Sequence, residues 1–280
     1  MTAPLESPAP TGRAGRDLVS AFFVGAALGI GLVLVPVLWF PWVFSVIVAV
    51  ALVIAAHELR GALAQRDISV AWPPVYIGIA ATVQVAYWWG ILPFVAVFAA
   101  TVLVCLGWRL VAGPEGYVAD ASASLLVAGY LGLMGGFVSL MLGSSHGSQR
   151  IITFVVLTIC SDIGGYAAGV LAGRHPMAPK ISPKKSWEGF AGSLVLQAIA
   201  GVALFVWLFD APWWQGLITG LVLTVTATGG DFVESAIKRD LGVKDMSTLL
   251  PGHGGLMDRL DSLLPNAFAS WLLLRVFLGP

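Results

Sequence analysis

The sequence predicts an all-α polytopic membrane protein, a helical bundle of about nine transmembrane helices with a polar site facing the cytoplasm. Three observations carry this expectation. First, 58% of the 280 residues are hydrophobic and only 11% are charged, against about 25% charged residues in soluble domains. So few charges cannot coat a soluble globule of this size. Second, apolar runs repeatedly reach the ~20 residues needed to cross a ~30 Å hydrocarbon core, without the period-two alternation of barrel strands. Third, Lys+Arg and Asp+Glu balance at 15 each but are placed very unevenly. The balance gives no net field for a nucleic-acid partner. Cys105 and Cys160, both inside apolar runs, exclude a disulfide scaffold.

Taken in order, the predicted spans lie near 18–38, 40–57, 72–90, 91–112, 121–142, 151–172, 187–209, 213–238 and 260–278. Pro41 between Trp39 and Trp42 separates the first pair, Pro93 separates the third from the fourth, and Pro212-Trp213-Trp214 opens the eighth. Proline breaks helices and tryptophan favours the interface. Residues 1–17, rich in Pro, Ala, Gly and Thr, read as a mobile cytoplasmic tail. The apolar run after them is too long for a secretory signal, so the first span is expected to be retained. The organisation expected is this tail, N-terminal transmembrane helices over 18–150, and a catalytic transmembrane region over 151–280 with cytoplasmic loops 173–186 and 239–259. With nine spans, thirteen lysines and arginines from Arg13 to Arg259 share the face of the tail, against Arg150 and Arg275 on the other. That bias puts the N-terminus and the charged loops in the cytoplasm and the C-terminus outside a cell membrane.

Fifteen of the thirty charged residues fall in two stretches, 174–188 and 231–261. Such concentration in an apolar protein points to function. Just upstream, Asp162 stands inside a span, within Ser161-Asp162-Ile163-Gly164-Gly165-Tyr166. A carboxylate there costs ~2.5–3.5 kcal/mol on insertion scales, so it serves either as a structural partner for another helix or as a metal ligand. In the following loop, prolines 176, 179 and 183 preclude helix, and Ser186 reads as the N-cap of the next span. Lys184 and Lys185, just before that helix, suit either a substrate phosphate or anionic lipid heads. In the second stretch Asp231, Glu234, Ser235 and Lys238 share one helical face. Asp258 and Asp261, three apart, would face a shared cation, and Gly252, Gly254 and Gly255 allow tight backbone approach around His253, itself either a turn residue or a ligand contact. Zinc is disfavoured, because four scattered histidines and two cysteines form no cluster. His57, Glu58 and Arg60 read as an ordinary span end.

At this point the residues resemble a known family. The run Ser235-Ala236-Ile237-Lys238-Arg239, then Lys244-Asp245, Ser247, Pro251, His253-Gly254-Gly255 and Asp258-Arg259-Leu260-Asp261 is similar, in fixed residues and in gaps, to the signature of CDP-diacylglycerol synthases, the phosphatidate cytidylyltransferases. The segments Ser161–Tyr166 and Ile181–Gly189 resemble that family's second characteristic region, with Ser186 where many members have threonine. The resemblance covers about 160–265. It implies a membrane nucleotidyltransferase of phospholipid biosynthesis that joins CTP and phosphatidic acid into CDP-diacylglycerol and pyrophosphate. It also implies Mg²⁺ as one or two divalent ions, with a monovalent ion such as K⁺ as an alternative, and a second copy of the chain as partner in a homodimer.

On that reading Asp231, Asp258 and Asp261, with Asp162 completing the set, hold the metal. Catalysis falls to Asp231, Asp258, Asp261, Lys238 and Arg259. Substrate binding falls to Ser182, Lys184, Lys185, Ser235, Arg239, Lys244, His253, Gly254 and Gly255. Two anionic phosphates must meet, so charge neutralisation and positioning carry the reaction. The ionised lipid phosphate needs no strong base. The rival enzymes are membrane CTP-dependent ones acting on an isoprenoid lipid, a CDP-archaeol synthase or a polyprenol or phytol kinase. A more distant rival is an ion transporter using the buried carboxylates.

Overall fold

The computed structural model describes residues 29–247 and 254–280. His253, with Gly252 and Pro251, lies outside the described residues, as do the predicted tail and most of the first predicted span.

A π-helical stretch Gly29–Leu34 runs into α1 (Val35–Trp39), and Phe40 separates it from α2 (Pro41–Ala64). Then follow α3 (Trp72–Trp89) and α4 (Ile91–Leu110). These two meet at Gly90, and Pro93 falls in the first turn of α4, where its missing N–H forfeits no helical bond. The helix break thus lies three residues before the proline that the sequence pointed to. Next come α5 (Tyr117–Val127), a π-helical stretch Ala128–Leu133 and α6 (Met134–Leu142), which together form one continuous 26-residue helical span. α7 (Gly147–Ala172) leads into an antiparallel hairpin of β1 (Pro176–Ala178) and β2 (Ser182–Ser186). α8 (Trp187–Leu208), α9 (Trp213–Leu241), the one-turn α10 (Met257–Leu260) and α11 (Leu263–Leu278) complete the fold.

Six helical segments among the described residues are long and apolar enough to cross a membrane: 41–64, 91–110, 117–142, 147–172, 187–208 and 213–241. Two further predicted spans, 72–90 and 260–278, fall on α3 and α11. α11 has 16 residues. The predicted loop over 173–186 is the hairpin. The predicted loop over 239–259 is shorter at both ends, since α9 continues to Leu241 and α10 begins at Met257.

α7, α8 and α9 pack on small residues. A methyl on Gly164 would stand 2.6 Å from the Gly192 carbonyl across the α7–α8 contact. Close backbone approach of this kind replaces the hydrophobic drive that is lost in lipid. Polar side chains add hydrogen bonds between these helices: Ser193 Oγ donates to Ser161 O at 2.7 Å, and Gln197 Nε2 to Leu157 O at 2.7 Å. One core cluster lies at the end of the bundle where α9 finishes. It joins α2 (Leu52, Leu59, Leu63) and α3 (Val75, Ile79) to Leu241, Met246 and Met257. A second cluster at the opposite end is built on Phe94, Phe137, Phe154 and Phe205.

Candidate active site

The site forms where three elements end on one side of the bundle. The hairpin delivers Lys184 and Lys185 because Ser186 stops β2 and starts α8. Ser186 has extended backbone, and its Oγ accepts the Gly189 N–H at 3.1 Å, the N-cap expected from the sequence. Glu188 in the next turn holds the hairpin entry. Its carboxylate accepts the N–H groups of Arg174 (3.2 Å) and His175 (3.3 Å) and contacts His175 Nδ1 at 2.5 Å.

Lys185 is the hub of the inner layer. Its ammonium pairs with Asp231 on α9 and lies 5.2 Å from the centroid of the Phe232 ring. Burial pulls the Lys185 ammonium down to about 8, while the charges of Asp261 and Asp162 act the other way. Asp162, Lys184, Lys185, Ser186 and Asp231 line one cavity of about 230 Å³. Asp162 also lines a second, apolar cavity of about 390 Å³ between α2, α6, α7 and α11, together with Arg259. One carboxylate thus stands where a polar and an apolar space meet.

The outer layer is built on Lys238, two helical turns further along α9. Its ammonium lies 2.6 Å from Glu234 and 3.0 Å from Asp258. Asp258 is also the acceptor for Gly255 N–H at 2.7 Å and Met246 N–H at 3.1 Å. Burial alone would raise the Asp258 carboxyl, but the neighbouring Glu234 side chain and the donors Gly255 N–H and Lys238 hold it below its ordinary range. Asp261 follows α10, with its carbonyl against Gly230 and accepting from Tyr130 Oη at 3.3 Å. Its charge acts on Asp162, Lys185 and Lys238. It therefore links the two layers.

Asp258 turns to the loop stem and Lys238, whereas Asp231 turns to Lys185. Among the described residues, no three His, Cys, Asp or Glu side chains are grouped to hold a metal ion. Mg²⁺ is commonly held by one or two carboxylates plus substrate phosphates. Asp162 and Asp231, sharing one cavity, supply hard oxygen donors of that kind.

The comparisons with known proteins bear on this arrangement directly. The profile of the cytidylyltransferase family matches residues 21–277. The chain belongs to the cytidylyltransferase family. Among relatives, a protein of Mycobacterium bovis named phosphatidate cytidylyltransferase is 44% identical over 280 aligned residues, covering 95% of this chain and 91% of the relative. One of the same name from Mycobacterium leprae is 40% identical, covering 97% and 92%. A third, from Staphylococcus saprophyticus, is 38% identical over 52% of this chain and 55% of its own length.

Of the site residues expected for a cytidylyltransferase, the structure brings together Asp162, Lys184, Lys185, Asp231, Lys238, Asp258 and Asp261. Gly254 and Gly255 shape the stem beside Asp258. Arg239 is exposed and reaches toward the hairpin carbonyl of Ile181 at 3.5 Å. Ser182 pairs with Ala178 in the hairpin, Ser235 is half-buried on α9, and Lys244 is exposed in the turn after it. Two residues named in the sequence reading were given no role in the site. Glu234, 1% exposed, sits beneath Lys238. Glu58, taken for an ordinary span end, is buried on α2 and accepts hydrogen bonds from the signature segment. The argument that singled out Asp162, a carboxylate in an apolar helix, applied to Glu58 as well.

Proposed function

We propose that this chain transfers the cytidylyl group of CTP to phosphatidic acid. A lipid phosphate oxygen attacks the α-phosphorus, the bond to the β-phosphate oxygen breaks, and pyrophosphate leaves as CDP-diacylglycerol forms. The observation that carries this reading is the 40–44% identity, over 95–97% of the chain, to relatives named for that activity. The geometry supports it. An anionic lipid needs a polar space for its phosphate beside an apolar space for its chains, and Asp162 borders both.

In this proposal Lys184 and Lys185 neutralise phosphate oxygens in the inner cavity, and Asp231 fixes the Lys185 ammonium by pairing with it. Lys238, held by Glu234 and Asp258, presents positive charge to the departing pyrophosphate. Arg259, beside the apolar cavity, offers a second cation to the lipid phosphate. When bound to Asp162 and Asp231, Mg²⁺ would add charge neutralisation at the phosphates. We place the hairpin and the end of α9 at the cytoplasmic face of the cell membrane, where CTP is available, and we infer that the enzyme works as a homodimer. The decisive experiment is a purified-protein assay of CTP-dependent conversion of phosphatidic acid, with and without Mg²⁺ and with an isoprenoid alcohol as competing acceptor. Turnover of phosphatidic acid supports the proposal, and turnover of the alcohol alone sinks it.

A further inference from the structure

Glu58 stands near the end of α2, 7% exposed, in a helix whose other ionisable residues are His57 and Arg60. Its carboxylate accepts Ser247 Oγ at 2.5 Å, Leu256 N–H at 3.0 Å and Met257 N–H at 2.8 Å. The two N–H groups belong to the start of α10, whose first-turn donors have no partner within so short a helix. From the other side Asp258 accepts Gly255 N–H and Met246 N–H. Two carboxylates, one from each half of the chain, therefore clamp the stem formed by residues 246–247 and 255–257. The grip is close. A methyl on Gly255 would lie 2.9 Å from Glu58 Oε2, 3.0 Å from Ser247 Oγ and 3.1 Å from Asp258 Oδ2. Two residues past α2, Arg66 donates to Asp240 O at 2.9 Å and Leu241 O at 3.2 Å, fixing the end of α9 to the same part of the chain.

From these contacts we infer that Glu58 is a positioning residue for cytidylyl transfer. It touches neither Lys238 nor Lys185. It sets the backbone of 255–257, and that backbone decides whether Asp258 faces Lys238 and whether Asp261 lies against Gly230. A buried carboxylate satisfied by backbone amides is costly to keep and more costly to break. Its loss leaves two N–H groups and a hydroxyl without an acceptor. This inference rests on the activity proposed above.

The test compares Glu58→Gln and Glu58→Asp with the wild type. A wild type that does not turn over CTP and phosphatidic acid overturns the proposed activity, not the role of Glu58, which the exchange measurement below examines separately. Given an active wild type, Glu58→Gln should lower kcat by about 10²-fold, the scale of an ångström of misplacement. KM for CTP should stay within a few-fold, with partial recovery of kcat in Glu58→Asp. The melting temperature should fall as buried hydrogen bonds are lost, so kcat is read per folded molecule; a purely structural role would lower the melting temperature and leave kcat per folded molecule unchanged, and that result overturns the inference. In parallel, hydrogen exchange on the wild type should show protected amides at Leu256 and Met257, with protection lost in Glu58→Gln. Rapid exchange at both amides in the wild type overturns the inference even if the variant fails to fold.

Discussion

Lys185 carries the most demanding chemistry of any single residue here. In the proposed reaction its charge stands beside a triphosphate, yet burial pulls its titration down to about 8. A lysine is cationic below its pKa, so the free enzyme loses this charge as pH rises through about 8, well before an exposed lysine would at 10.5. The expected result is a fall in kcat/KM for CTP above pH 8. Lys185→Arg should move that fall to higher pH, because guanidinium does not titrate there, and Lys185→Ala should abolish the limb together with most of the activity. A wild-type profile flat to pH 10 would place the essential charge elsewhere. Asp258 titrates in the opposite sense. Its carboxyl is held below the ordinary 3.8, so its contribution to stability is complete above that pH and is lost as pH falls through the lower native value. Acid unfolding monitored in detergent should therefore shift to higher pH in Asp258→Asn.

Among the elements, the α7–α8 pair shows how packing feeds chemistry. Asp162 is on α7, and Lys185 directly precedes α8, so the distance between their helices sets the width of the inner cavity. A side chain on Gly192 would meet the Gly164 carbonyl and the Ala168 methyl. Gly192→Ala should cost about 1–3 kcal/mol, the usual toll of overpacking. It should lower both the melting temperature and turnover, whereas the same change at Gly229, which has open space around its missing side chain, should not reproduce the cavity effect. The elements also mark the boundary of what could be read from sequence. Span lengths and the Ser186 cap follow from local rules, because apolar run length and N-cap chemistry are properties of neighbours in the chain. The 173–186 loop could be read as non-helical from its prolines but not as a hairpin, since strand pairing depends on which residues meet. Glu58 was missed for a related reason. Its partners lie nearly 200 residues away and are mostly backbone N–H groups, which leave no mark in a side-chain pattern. The i, i+3 spacing of Asp258 and Asp261 was visible, but the contacts of Asp258 with Lys238 and with the Gly255 and Met246 amides were not, because those partners meet only in the fold.

For the whole molecule, the charge bias between loops predicts a topology that can be measured. Single cysteines placed at Lys180 and at Ser144, in a background with Cys105 and Cys160 replaced, should react with a membrane-impermeant maleimide from opposite sides. The Lys180 position should be reached only from the cytoplasm. Labelling of both from one side would refute the orientation proposed here.

The seam between the two halves of the chain has a practical consequence. Residues 246–247 and 256–257 rest against α2, through Glu58 and through Leu59 and Leu63 in a shared apolar cluster. Anyone building chimeras from related enzymes would have to transplant the far end of α2 along with the signature loop. A graft of the loop alone onto a helix without a carboxylate at the place of Glu58 would leave its amides with no acceptor, however well its own motif were preserved.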